Sequence, residues 1–323
     1  MKTTIGDRTS IQPSLDIIIV NWNSDKQLKE CIESIKNALR VGFYLNKVII
    51  VDNHSTDNSL TDLEKIELPI EIILNTKNLG FSKACNQGAL VSTSDLLLFL
   101  NPDTTLFSDS LQIPVRFMFE KKNERIGVVG VQIINGNNKI VPTCARIPKY
   151  HNFIITSIGL QKLLPTIFPD FIMSEWDHNS NRIVDHVMGA FYLVRNELFK
   201  KLKGFDEDYF VYLEDLDFSH RLKRDNYDIV FLSTTKIFHK GGGVSEKVKA
   251  NRLFYILQSK TLFSKKHFNK FSFTVVLFVI TFLEPLCRIL GALIRRTFSE
   301  IPEIFGGYYL FYSYLLKNSK ERE

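Results

Sequence analysis

Over residues 1–135 the chain alternates between short, nearly unbroken apolar runs and stretches with apolar residues at helical spacing. The runs fall at 16–22 (DIIIVNW), 47–53 (KVIIVDN), 70–75 (IEIILN), 95–101 (DLLLFLN) and 126–133 (IGVVGVQI). Unbroken apolar character over so few residues predicts strands covered on both faces, as in a parallel sheet. Helical patterns occupy 25–40, 57–66, 81–91 and 108–120, between the runs. That alternation predicts a doubly wound α/β sheet.

Residues 135–182 read as irregular, with NGNN, prolines and scattered aromatics. Regular structure is predicted again at 183–195 (IVDHVMGAFYLVR), followed by a helix starting at Asn196 and the loop GFDEDYF. A charged helix over 213–226 and a strand over 227–233 come next. From Lys240 the pattern changes to a basic amphipathic stretch, an apolar run at 271–283 and then Glu284-Pro285. The organisation expected is an extension at 1–14, a catalytic α/β domain at 15–245 and a helical, basic and aromatic region at 246–323.

Ligands of open α/β sheets bind beyond the carboxyl ends of the strands. Here those ends carry polar side chains: Asn21 and Asn23, Asp52 and Asn53, Asn75 and Asn78, then Asn101 and Asp103. Each alone reads as a helix cap or turn residue. Four such ends in succession, meeting on one edge, point to a binding site. In Asn101-Pro102-Asp103 the proline sets a turn that aims the carboxylate away from its strand, a placement suited to a hard divalent cation or to a helix cap. Glu214-Asp215-Leu216-Asp217 is the densest acidic cluster and opens a helix, where the dipole favours acids. The aromatics Phe205, Tyr209, Phe210 and Tyr212 just before it are placed to desolvate one carboxylate and raise its pKa towards that of a general base. His239, ahead of Gly241-Gly242-Gly243, is either a loop histidine or a metal ligand.

Absences narrow the field. No G-x-G-x-x-G follows the first run and no G-x-x-x-x-G-K-[ST] occurs anywhere, so neither a dinucleotide fingerprint nor a P-loop is present. The four cysteines, Cys31, Cys85, Cys144 and Cys287, form no C-x-x-C pair, which fits a reducing compartment. The polar N-terminus lacks the apolar core of a signal peptide, so a cytoplasmic location is expected. Net charge is +6, but residues from 240 onward hold 14 basic against 6 acidic, leaving 1–239 at −2. The positive charge therefore belongs to the tail, which argues against nucleic acid as a partner and for an anionic membrane surface.

Taken together these segments resemble the family 2 glycosyltransferases of the GT-A fold, and among them the bacterial rhamnosyltransferase-like group. The resemblance runs through residues 17–23, Val51-Asp52-Asn53-His54-Ser55-Thr56-Asp57, Asn78-Leu79-Gly80-Phe81, Asn86, Gly88 and Leu100-Asn101-Pro102-Asp103-Thr104. It continues through Asp185, Met188-Gly189-Ala190-Phe191, Gly204-Phe205-Asp206-Glu207, Tyr212, Glu214-Asp215-Leu216-Asp217-Phe218, Arg221-Leu222 and His239. It implies inverting transfer of a sugar from a nucleotide-diphosphate donor, with L-rhamnose from dTDP-L-rhamnose as the best choice. The acceptor it implies is a hydroxyl of a lipid-linked saccharide in cell-surface polysaccharide synthesis. Asp52 would contact the donor's pyrimidine, and Asn78 and Gly80 would line the nucleotide pocket together with Asn21, Asn53, Asn86 and Asn101. Asp103 corresponds to the last acid of the family's D-x-D motif, whose first acid is Asn101 here, and His239 would complete a site for Mg²⁺ or Mn²⁺. Asp215 matches the catalytic base, and Glu214, Gly189 and Ala190 would hold the acceptor.

The apolar run at 271–283 is shorter than the roughly 20 residues of a bilayer span. Amphipathic segments lying in the interface are expected instead, anchored by Lys260, Lys265, Lys266, Lys270, Arg295 and Arg296 on the inner face of the plasma membrane. A spanning helix, an aromatic C-terminal core and a homodimer interface are the alternatives for this region. For the whole chain the alternatives are a transferase for another UDP- or dTDP-hexose, a sugar nucleotidyltransferase and a non-catalytic membrane-associated scaffold. The nucleotidyltransferase would want a Gly- and Arg/Lys-rich loop where this chain has Asn21-Trp22-Asn23-Ser24.

Overall fold

A computed structural model describes residues 12–241 and 248–320. Gly242 and Gly243 of the expected glycine loop lie outside the described residues, as does most of the N-terminal extension. In chain order the elements are β1 (Ser14–Asn21), α1 (Lys26–Asn37), β2 (Tyr44–Asp52), β3 (Ile70–Leu74), α2 (Phe81–Leu90), β4 (Leu96–Leu100), β5 (Thr104–Leu106), α3 (Gln112–Phe119) and β6 (Ile126–Ile134). There follow β7 (Cys144–Ala145), α4 (Tyr150–Ile158), α5 (Leu160–Leu163), β8 (Arg182–Val184), β9 (His186–Val187), β10 (Phe191–Arg195), α6 (Asn196–Lys201), α7 (Glu214–Arg224) and β11 (Asp228–His239). The C-terminal region consists of α8 (Lys249–His267), α9 (Lys270–Phe278), α10 (Glu284–Arg295) and α11 (Glu300–Lys320).

The main sheet runs β3-β2-β1-β4-β10-β6-β11-β5, with β8 added on β11. Pairs among β1 to β4 and between β6 and β11 are parallel, whereas β10, β5 and β8 run antiparallel to their neighbours. Alternate residues of each apolar run face opposite layers. Ile17, Ile19, Val48, Ile50, Leu96 and Leu98 pack with α1 and α3, while Ile18, Val20, Ile49, Val51, Leu97 and Phe99 pack with α2, α6 and α7. Both faces are covered, as the unbroken runs require.

Insertion of β10 between β4 and β6 shapes the site. It aligns Phe191 with Leu100, and the Asn101 amide donates to the Ala190 carbonyl at 3.1 Å. The carboxyl ends of β1, β2 and β4 thus meet the start of β10 on one edge.

Four local expectations are corrected. The helix expected at 57–66 is a single 3₁₀ turn, Leu63–Lys65. Asp57 and Ser59 there spend their side chains on other partners: Asp57 Oδ2 accepts the Asp25 amide at 2.7 Å and Ser59 Oγ receives the Asn21 amide at 2.8 Å. Such bonds compete with helix. Second, 135–182 is not all irregular, because it holds β7, α4 and α5. Helix α4 buries Phe153 among residues of the tail, a distant partner invisible to local pattern. Third, the stretch at 183–195 divides into β8, β9 and β10, and β11 runs on past Ser233 to His239. Its register against β6 jumps between Leu232 and Lys236, so Ser233, Thr234 and Thr235, where the expected strand stopped, form a bulge within a longer strand.

The fourth correction concerns the tail. Glu284-Pro285 does not end the helix: residues Lys270–Arg295 form one continuous 26-residue helix, long and apolar enough by length and composition to cross a membrane. A π segment, Val279–Leu283, leads into Pro285 in the first turn of α10. The wider turn of the π segment accommodates the N–H that Pro285 lacks. Glu284 is fully buried, with Arg288 Nη2 at 2.6 Å and Lys260 Nζ of α8 at 3.9 Å. Lys260 is therefore an internal partner and not a surface anchor. Lys266 is likewise committed, to Asp206 and, at 2.7 Å, to Asp208.

The tail is no separate appendage. Its core joins Leu257, Phe263, Ile280 and Phe311 to Tyr209 and Leu216, which flank the acidic cluster. Phe210 stacks on Tyr255 at 4.5 Å, and the Ser259 hydroxyl donates to the Val211 carbonyl at 2.9 Å. Asp217 accepts from Arg221 Nε and His267 Nε2, each at 2.7 Å. Helix α8 thus backs both α7 and the loop before it.

Candidate active site

At the ends of β1 and β2 the polar residues build one network. The buried Asn21 amide donates to Asp52 Oδ1 at 2.7 Å, to Ser55 Oγ at 3.1 Å and to Ser59 Oγ at 2.8 Å, and its carbonyl accepts from Ser24. Asp52 Oδ2 accepts the Ser55 amide at 3.0 Å. Asn53 donates to the Gly80 carbonyl at 3.0 Å and accepts from Asn75 at 3.0 Å. Asn78 accepts the Gly80 amide at 2.9 Å. Gly80 has φ +89°, and a Cβ there would stand 2.6 Å from the Phe210 carbonyl oxygen, so only glycine fits between α2 and that loop.

Several residues expected to line the pocket are occupied in holding it. Asn86 donates to the Phe205 carbonyl at 2.8 Å and accepts the Phe205 amide at 2.9 Å, clamping the aromatic loop to α2. Asn21 and Asn53 are likewise spent on Asp52 and on the Gly80 turn. Asp185 braces the segment ahead of α4 by accepting the Ile147 amide at 3.2 Å.

Antiparallel pairing of β11 with β5 sets His239 opposite Thr104. His239 Nε2 then lies 3.1 Å from Asp103 Oδ1, both side chains partly open to solvent. Two residues far apart in sequence are thus brought together as expected. Among the described residues no third His, Cys, Asp or Glu joins them in a metal-sized cluster, and Asn101 next to them is neutral.

The acidic cluster lies across the same edge. Tyr212 and Leu213 both adopt left-handed backbone, with φ 73° and 63°, immediately before α7. Two non-glycine residues in that region store strain of the kind found at functional sites. Asp215 Oδ2 accepts the Gly189 amide at 2.8 Å, and Oδ1 accepts the Leu216 amide at 2.8 Å. A Cβ on Gly189 would sit 2.8 Å from Asp215 Oδ2, so the glycine makes room for the carboxylate. Glu214 is buried, and its Oε2 has no hydrogen-bond partner among the described residues. Burial first, and the neighbouring Asp215 carboxylate second, push Glu214 well above the usual carboxylate range. The desolvated acid anticipated from the aromatic loop is thus Glu214. Sequence reasoning missed His186, whose Nε2 lies 3.8 Å from Asp215 Oδ2. The Asp185-His186 pair interrupting an apolar run was the available signal.

Sheet order and edge site are those of a GT-A fold. The chain belongs to glycosyl transferase family 2, whose profile matches residues 16–202. It is 23% identical over 266 residues to the low-salt glycan biosynthesis hexosyltransferase Agl10 of Haloferax volcanii, covering 78% of this chain and 77% of the relative. It is 23% identical over 241 residues to the N-acetylglucosaminyl-diphospho-decaprenol L-rhamnosyltransferase of Mycobacterium tuberculosis, covering 70% and 75%. Among solved structures, the mannosyltransferase PcManGT of Pyrobaculum calidifontis, in complex with GDP-Man and Mn²⁺, superposes with TM-score 0.55 at 14% identity, covering 94% of this chain and 88% of that one. The S. aureus protein TarS (residues 1–349), in complex with UDP-GlcNAc, superposes with TM-score 0.52 at 15% identity, covering 94% and 92%. The protein is a glycosyltransferase.

Proposed function

We propose that this protein is an inverting transferase that moves a hexose from a nucleotide-diphosphate donor to a hydroxyl of a lipid-linked saccharide. L-rhamnose from dTDP-L-rhamnose is the preferred donor sugar. The observation that carries the reading is Asp215, held by the Gly189 amide at the start of α7 beside the buried Glu214. Two relatives named as L-rhamnosyltransferase and rhamnosyltransferase, from Mycobacterium tuberculosis and Escherichia coli K12, support the sugar. The first, an N-acetylglucosaminyl-diphospho-decaprenol L-rhamnosyltransferase, supports a polyprenyl-diphosphate-linked N-acetylglucosamine as acceptor class.

In this reading the Asp52 carboxylate meets the donor's pyrimidine, and Asn78 and Gly80 shape the wall beside it. Asp103 and His239 would hold Mg²⁺ or Mn²⁺. An anionic oxygen and an imidazole nitrogen 3.1 Å apart are the two donors these residues would offer such an ion. Bound there, the cation supplies charge neutralisation for the departing diphosphate. Asp215 takes the proton from the acceptor hydroxyl as its oxygen bonds to the anomeric carbon, and the bond from that carbon to the diphosphate oxygen breaks on the opposite face. Glu214, Gly189 and Ala190 position the acceptor.

The tail supports a peripheral location on the inner face of the plasma membrane. Phe278, Phe282, Leu286 and Leu290 of the long helix are exposed, as are Lys270, Arg295 and Arg296 near its ends. An apolar face with basic flanks suits an anionic lipid surface.

Thermal shift across UDP-, dTDP- and GDP-sugars identifies the donor, because a ligand that binds only the folded state stabilises it. The largest shift is expected with dTDP-L-rhamnose, and a larger shift with a UDP-hexose would reassign the sugar. Asp215→Asn is expected to abolish transfer to a polyprenyl-diphosphate-linked N-acetylglucosamine while leaving the donor shift intact. Full transfer by that variant would overturn the base assignment, and no transfer from any donor by the wild type would favour a scaffold.

A further inference from the structure

Beside Asp215 lies a buried polar chain that the reaction outlined above does not use. His186 on β9 places Nδ1 3.0 Å from the Ser219 hydroxyl of α7. That hydroxyl lies 2.8 Å from the phenol oxygen of Tyr192 on β10. Ser219 and Tyr192 are sealed from solvent, and His186 nearly so. The other ring nitrogen of His186 faces Asp215 Oδ2 across 3.8 Å.

The direction of the protons follows from which groups can be satisfied. Ser219 is the only hydrogen-bond partner of the Tyr192 phenol among the described residues. The phenol proton therefore goes to Ser219 Oγ, since the reverse would bury it without an acceptor. Ser219 then donates its own proton to His186 Nδ1. Neutral His186 is left with its proton on Nε2, the nitrogen that faces the carboxylate. Reversing the chain would strand the phenol proton and turn an imidazole lone pair towards a carboxylate oxygen. Only one direction satisfies every group.

We propose that His186, its tautomer set by Ser219 and Tyr192, is a positioning residue for Asp215: its Nε2–H engages Oδ2 and leaves Oδ1 to take the acceptor's proton. Oδ2 already accepts the Gly189 amide at 2.8 Å, so a second donor engages both of its in-plane lone pairs. Among the described residues Oδ1 accepts only the Leu216 amide, which leaves it one lone pair. The 3.8 Å separation closes to a hydrogen bond with a shift of about 1 Å, the tightening expected when a substrate fills a site. This inference rests on Asp215 being the base.

The test measures transfer from the donor selected by thermal shift to a polyprenyl-diphosphate-linked N-acetylglucosamine. His186→Phe is expected to lower kcat by about 30-fold while the KM for donor changes less than about twofold, since the loss lies in the proton-transfer step. His186→Gln, whose amide N–H reaches the place of Nε2, is expected to recover most of that loss. Ser219→Ala, which frees the tautomer, is expected to lower kcat by about fivefold. A kcat within about twofold of wild type in a natively folded His186→Phe overturns the inference, as does a Gln variant no better than the Phe variant. Should His186→Phe not fold, wild-type kcat in Ser219→Ala overturns it instead. Retained transfer in Asp215→Asn would sink the base assignment itself, whereas lost transfer there with an unaffected His186→Phe sinks this inference alone.

Discussion

A carboxyl group buried with one oxygen unpartnered, as in Glu214, is tolerated in the folded chain mainly in its neutral form. Its folded pKa lies above the unfolded value of about 4.3, so ionisation opposes folding. The penalty is absent at low pH and grows as pH rises from the unfolded pKa towards the folded one. Glu214→Gln keeps the shape and removes that penalty. Its melting temperature is expected to exceed wild type by about 3 °C at pH 8 and to match it near pH 4, with transfer reduced because the acceptor contact is weakened. Scanning calorimetry at both pH values, with a transfer assay, checks this. A variant less stable than wild type at pH 8 would show that Glu214 is held as a paired ion. At this scale the sequence showed which polar residues gather, but not how each is spent. Asn21, Asn53 and Asn86 were legible as strand-end and helix residues gathered at one edge of the sheet. Their hydrogen bonds to Asp52, Gly80 and Phe205 depend on which segments lie opposite, and no local pattern carries that.

Among the elements, the contact of α7 with α8 holds the acidic cluster in place. Burial alone would raise the Asp217 pKa, but the hydrogen bond from His267 and the Arg221 guanidinium outweigh it and hold the carboxyl below its usual range. A depressed folded pKa adds stability above the unfolded value, about 3.9 for Asp, and that stability is lost as pH falls through the folded pKa. Asp217→Asn is accordingly expected to cost about 3 kcal/mol in urea unfolding at pH 7, the difference narrowing as pH falls below the unfolded pKa towards the depressed folded one. An unchanged midpoint at pH 7 would show that α8 does not depend on this contact. Strands β1, β2, β4 and β6 were legible because each is an apolar run covered on both faces, and the half-exposed edge strand β3 was legible by its apolar run alone. Helix α4, the bulge in β11 and the helix through Pro285 were not, since each is decided by packing against residues far away in sequence. The extension of β11 matters most for the site, because without it His239 would not reach Asp103.

At the scale of the molecule, the catalytic sheet and the tail share one set of packed side chains, with Tyr209 and Leu216 belonging to the tail's core. Near residue 245 the composition changes while the packing continues across it. The exposed apolar residues of the long helix lie on the far side of that shared core. Phe278→Ser combined with Leu286→Ser is expected to lower sedimentation with anionic phospholipid vesicles several-fold while leaving the thermal midpoint unchanged, both side chains being exposed. Undiminished sedimentation would remove the long helix from the membrane contact. One further consequence follows from the buried group formed by Lys260, Glu284 and Arg288. It prevents the long helix from rolling about its own axis, and the helix that supplies Lys260 also grips the loop before Asp215 through Ser259 and Lys266. Heading and height of the reacting centre above any surface on which the apolar face rests are thereby fixed in advance. Under the proposed membrane contact, such a frame would present Asp215 to the surface in one orientation and at one elevation.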